Sequence, residues 1–145
     1  MRLLNVTRIN IDSHPLFTML VVDDDHCMLK LYEFMVGSWD LNIEIAYADN
    51  GRDALIFLEN HFPDILILDI NLNDVNGYQL LQSIKKNQQH RFMSIIVITG
   101  MTATDYENIV EPPEDVFLMR KPIDFAALHS LTRTIISKRL SKISC

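Results

Sequence analysis

Acidic residues stand where apolar runs stop. The run Phe17–Val22 ends in Asp23, Asp24 and Asp25, and the run 65–68 ends in Asp69. Thr99 closes the run 92–98, and Lys121 lies just past the run 116–119. If these runs are parallel strands of one sheet, all four ends share one edge, where open α/β sheets keep their reactive groups. Carboxylates gathered there repel: two like charges about 4 Å apart cost about 4 kcal/mol at an effective dielectric of about 20. Either one carboxylate keeps its proton or a divalent cation sits among them. A few carboxylates with room for water suit Mg2+, whose shell is completed by waters and a substrate phosphate. The same groups match phosphoryl transfer. Asp69 would be the nucleophile that attacks phosphorus to give an acyl phosphate. Lys121 would add a point charge from the other side and Thr99 a hydroxyl donor, so the work is placement and electrostatics.

Elements must bring these ends together. Residues 65–68 are apolar without alternation, as in a strand buried on both faces. Residues 42–47 alternate Ile43 and Ile45 with polar neighbours, which suits a strand nearer the sheet edge. The first helix carries Met28, Leu31, Tyr32 and Met35 on one face and ends at Gly37. Asp49-Asn50-Gly51 is a turn before a short helix over 53–60, with Ala54, Leu55 and Leu58 inward. A helix from Gly77 through Lys86 turns Leu80, Leu81 and Ile84 inward. Another spans 103–110 and stops at Pro112-Pro113. Asp124 caps the last helix, whose apolar face is Phe125, Leu128, Leu131 and Ile135. Strands alternating with helices predict a doubly wound α/β fold: a five-stranded parallel sheet in the order 2-1-3-4-5 with helices on both faces. Residues 1–15 are an N-terminal extension with Ile9 and Ile11 against the sheet, 16–140 form the single domain, and 141–145 are a C-terminal tail.

The composition narrows the function. With 145 residues, 48% of them apolar and 22% charged, the chain can build one proper core. A net charge of −6 argues against a nucleic-acid surface and fits a cation site. Cys27 and Cys145 lack metal-ligand spacing and suggest a reduced, cytoplasmic setting. No apolar run approaches the ~20 residues that cross a bilayer, and polar residues interrupt any signal-peptide core. His14, His26, His61, His90 and His129 show no metal spacing and are expected at the surface or partly packed. Asp25 is expected to be only a helix cap or a solvated acid. Arg133, Lys138, Arg139 and Lys142 are expected on a solvated helix face.

Several segments together carry a resemblance. Leu20-Val21-Val22-Asp23-Asp24-Asp25, Ile67-Leu68-Asp69-Ile70-Asn71, Asn76-Gly77, Ile98-Thr99-Gly100 and Lys121-Pro122 resemble, in order and separation, the receiver domain of two-component response regulators. The likeness covers about residues 16–140. It implies a flavodoxin-like three-layer α/β/α fold with Asp69 as phosphoacceptor. It also implies Mg2+ bound directly by Asp24, largely through water by Asp23, with Asp69 and the backbone carbonyl of Asn71 as further ligands. Thr99 would move toward the phosphoryl group, Lys121 would pair with it, and the Lys121-Pro122 peptide is often cis in this family. The implied donor is a histidine kinase or a histidine phosphotransfer protein. The signal would leave through a downstream effector protein, or through a homodimer on the face of the fourth and fifth strand–helix units, with no nucleic acid or membrane involved. Few residues follow the last helix, so no output domain is expected.

The chain departs from the family pattern at four places. Asn73 replaces the usual proline, Asn76 the common aspartate before the loop glycine, and Leu118 an aromatic residue three positions before the lysine. Phe117 points to the opposite face, and Pro112-Pro113 replaces a glycine-containing turn. The main alternative is a degenerate receiver that docks a partner without phosphorylation. An aspartate-nucleophile phosphatase would want a second acid where Asn71 stands, and a substrate-covering cap. A flavin or nucleotide binder would want a first loop rich in Gly, Ser or Thr rather than in acids.

Overall fold

The computed structural model describes residues 6–8, 16–100 and 116–143. Within them lie strands β1 (Val6–Arg8), β2 (Phe17–Val22), β3 (Ile43–Ala48), β4 (Ile65–Asp69), β5 (Ser94–Thr99) and β6 (Val116–Arg120). The helices are α1 (His26–Gly37), α2 (Gly51–Asn60), α3 (Gly77–Lys86) and α4 (Phe125–Ile143). The strands form one sheet in the order β1-β3-β2-β4-β5-β6. All neighbours run parallel except β1, which pairs antiparallel with β3. Counted without β1, the five parallel strands have the expected 2-1-3-4-5 order.

β4 is central and every residue in it is buried. Side chains alternate across the sheet, so Ile67 packs with Val21, Tyr32, Ile96, Leu128 and Ile135 on the side of α1 and α4. Leu66 and Leu68 pack on the other side with Leu20, Ala54, Leu58, Leu80 and Ile84, against α2 and α3. A strand between two helical layers has no polar face, which accounts for its unbroken apolar sequence.

Some expectations are corrected. β3 lies near the sheet edge, as expected, but the edge itself is Val6–Arg8, within the expected extension, which pairs antiparallel beyond it and covers its free backbone groups. Ile9 and Ile11 lie outside the described residues, as do the helix expected over 103–110, Pro112-Pro113 and His14. Leu31 and Leu55 are 40% and 39% exposed rather than inward; Tyr32 and Val36 fill the core from α1, and Ala54 and Leu58 from α2. α2 starts at Gly51, ahead of the expected residue 53, because the Asn50 side chain accepts from Asp53 N and caps it there. β5 starts at Ser94, since a 3-10 turn at Gln88–His90 precedes it. His90 is buried, its Nε2 2.8 Å from the Leu58 carbonyl oxygen. α4 continues through Ile143, so residues 141–143, expected in a tail, are helical.

Candidate functional site

The register brings the acids together. Val22 pairs with Leu68 across β2 and β4, so the next residues, Asp23 and Asp69, emerge side by side. Asp23, Asp24 and Asp69 each offer a carboxylate oxygen, and these oxygens lie within 4.8 Å of one another. Asp25 stands apart from the cluster. As expected, it caps α1, accepting from Cys27 N at 2.9 Å and Met28 N at 3.4 Å.

Each acid is held differently. Asp69 is buried; its Oδ1 accepts from Asn71 N at 2.9 Å and its Oδ2 from Lys121 Nζ at 2.8 Å. Asp23 is also buried, and its Oδ1 accepts from Asp25 N at 2.9 Å. Asp23 Oδ2 is buried and has no hydrogen-bond partner. Burial, reinforced by the charges of Asp69 and Asp24, pushes the Asp23 carboxyl up to about 6, against the opposing pull of the Asp25 N–H and Lys121. For Lys121 burial acts downward, but the hydrogen bond and charge of Asp69, with Asp23 and Asp24 behind it, hold the ammonium above the usual lysine range. Burial and the same carboxylates also push the Tyr32 phenol up.

Thr99 is fully buried and follows Ile98, the residue registered against Asp69. Its carbonyl accepts from Lys121 N at 2.8 Å, which ties the ends of β5 and β6 together. The Lys121-Pro122 peptide is cis. Leu118 is 37% exposed, while Phe117 packs into the core beside α1 and α4. The structure thus gathers Asp23, Asp24, Asp69 and Lys121 at one sheet edge, with Asn71 in the loop folded back on Asp69 and Thr99 on the neighbouring strand.

Contacts at the rim of the site do not follow from the sequence. Asp49 Oδ2 is 2.9 Å from His26 Nε2, and Asp49 Oδ1 accepts from Asn50 Nδ2 at 2.7 Å. Asp74, in the loop after β4, reaches across to the start of α2. Burial acts upward on its carboxyl, but backbone N–H groups of Gly51, Arg52, Asp74 and Val75 together hold it below the usual carboxylate range. Nothing in residue order pairs position 74 with position 51.

The donor set suits a hard dication. Three carboxylates share one ammonium, all their ligand atoms are oxygens, and one buried oxygen has no partner. Mg2+ takes such oxygens while keeping several waters.

The chain matches the response regulator receiver domain over residues 19–133 and belongs to that family. Receiver domains are switches of two-component signalling, with phosphorylation and Mg2+ binding as general features. Among curated relatives, the response regulator Rre1 of Synechocystis is 26% identical over 129 residues, which cover 88% of this chain and 54% of that protein. The response regulator ArlR of Staphylococcus aureus is 26% identical over 125 residues, covering 85% and 54%. The chain therefore spans about half the length of the curated relatives it matches. Among solved structures, the signal receiver domain of a protein described as a Luxo repressor, from Vibrio parahaemolyticus, superposes with a TM-score of 0.76 at 27% identity, covering 90% of this chain and 98% of that one. The chemotaxis response regulator CheY4 of Vibrio cholerae gives 0.73 at 20% identity, covering 83% and 99%, and shows the shared fold. Among the described residues no helix is long and apolar enough to cross a membrane.

Proposed function

We propose that this chain is a phosphoacceptor switch in which Asp69 takes a phosphoryl group from a histidine kinase or a histidine phosphotransfer protein. The observation that carries this reading is the setting of Asp69: a strand-end carboxylate held by Lys121 and Asn71 N, beside two further acids. Asp23, Asp24, Asp69 and the carbonyl of Asn71 would hold Mg2+. The bound ion supplies positive charge to the phosphoryl oxygens. An Asp69 oxygen attacks phosphorus, the P–N bond to the donor imidazole breaks, and its electron pair stays on nitrogen. Lys121, paired with Asp69 beforehand, then pairs with the phosphoryl oxygens, and the buried Thr99 hydroxyl donates to them.

Later attack by water on phosphorus breaks the bond to Asp69, releases inorganic phosphate and returns the carboxylate, so the chain catalyses only its own phosphoryl uptake and loss. Residues 16–140 form the receiver unit, and it works in the cytoplasm. The added charge alters the face of the fourth and fifth parallel strands, through which an effector or a second copy binds without nucleic acid. The exposed Leu118, where an aromatic is usual, favours the rival reading of a docking module that needs no phosphate.

Intact-mass measurement after incubation with acetyl phosphate separates the two. The switch gains one phosphoryl group with Mg2+ and none with a chelator, and size-exclusion chromatography alongside reports any change in assembly. A docking module gains none under either condition.

A further inference from the structure

Asp74 lies three residues past Asn71, yet its carboxylate is spent on another element. Its Oδ1 accepts from Gly51 N at 2.9 Å and its Oδ2 from Arg52 N at 3.0 Å. These are first-turn donors of α2, which have no acceptor within the helix. The next donor, Asp53 N, goes to Asn50 Oδ1 at 2.7 Å. The cap of α2 is thus shared between its own N-cap residue and a side chain from the loop after β4.

That loop is fixed at three points. At its start Asn71 N binds Asp69 Oδ1. At its end Gly77 packs so closely on Ile70 that an added Cβ would lie 2.6 Å from Ile70 Cα. In between, at exposed Asn73, there is no proline ring to restrain the backbone, and the anchor is Asp74, with Val75 against Gly51. We infer that Asp74 is a positioning residue: by tying the loop to α2 it fixes the segment in which Asn71 folds back on Asp69, so cation affinity at the cluster depends on a side chain outside it. The inference rests on reading the cluster as the Mg2+ and phosphoryl site.

Calorimetric titration with Mg2+ tests it, with thermal melting and acetyl phosphate labelling measured on the same samples. Asp74→Ala is expected to weaken Mg2+ binding about tenfold, the size of effect that supporting partners of metal ligands have. Asn50→Ala removes the other half of the α2 cap without touching the loop. It should lower the melting temperature and keep the wild-type Mg2+ affinity. If Asp74→Ala fails to fold, Asp74→Asn, with one acceptor oxygen left, should shift affinity the same way by less. Wild-type affinity in the Asp74 variants, or an equal loss in Asn50→Ala, overturns the inference. A wild type that binds Mg2+ but takes no label removes the phosphoryl reading and leaves Asp74 judged on affinity alone. A wild type that binds no Mg2+ overturns both.

Discussion

Among the described residues, Asp23 carries the clearest electrostatic tension. Its buried Oδ2 has no partner, and burial lifts the carboxyl from 3.8 to about 6. A folded carboxyl that holds its proton more tightly than the unfolded one contributes stability below 3.8, and this contribution is lost as pH rises through about 6. At neutral pH the metal-free protein therefore keeps a charged, poorly solvated Asp23. Asp23→Asn keeps the shape and removes that charge. In chelator, urea denaturation near neutral pH should show this variant more stable than wild type by about 1–3 kcal/mol, with the gap closing as the pH is lowered toward 4. Added Mg2+ should stabilise wild type more than the variant and erase the difference. A variant less stable than wild type in chelator would mean that the Asp23 charge is well compensated without an ion. For the same reason Mg2+ must displace a proton from Asp23 below about pH 6, so its affinity should fall there.

At the scale of elements, two glycines at helix ends differ in what surrounds them. Gly77, the buried first residue of α3, faces backbone: an added Cβ would meet Ile70 Cα at 2.6 Å and its carbonyl carbon at 2.8 Å. Backbone cannot rotate away as a side chain can, so Gly77→Ala should cost about 3 kcal/mol or more by urea denaturation. Gly37, at the end of α1, has nothing within 4 Å of an added Cβ. No described glycine has positive φ, so Gly37 is not a left-handed cap, and Ser38 takes the C-cap position instead. Gly37→Ala should therefore be neutral or stabilising by up to about 1 kcal/mol. Equal losses in the two variants would contradict this contrast between the two glycines.

At the scale of the whole molecule, the site was legible because parallel strands align their ends. Once residues 17–22 and 65–68 are strands of one sheet, Asp23 and Asp69 must emerge on the same edge, and the register of Val22 with Leu68 makes them neighbours. The layers were legible for a related reason, since β4 is apolar at every position that faces helices. Other features left little trace in the sequence. A strand of three residues, Val6–Arg8, is too short to show a period. Leu31 and Leu55 fit a helical stripe but sit at its solvent margin, where hydrophobicity alone does not decide burial. His90 reads as polar, yet its ring is buried, with Nε2 alone meeting the Leu58 carbonyl oxygen, a partner that follows no local spacing. Asp74 reads as an ordinary loop acid, because a bond from a side chain to a distant helix start follows no local spacing.

The central claim is that two strand tips form one phosphoryl-accepting centre with Asp69 as nucleophile. Peptide mapping by mass spectrometry after acetyl phosphate and Mg2+ tests it most directly, on wild type and on Asp69→Asn. The account predicts one phosphoryl group on Asp69 in wild type and none in the variant. A phosphoryl group at another residue in wild type, or stoichiometric labelling of Asp69→Asn, would contradict it.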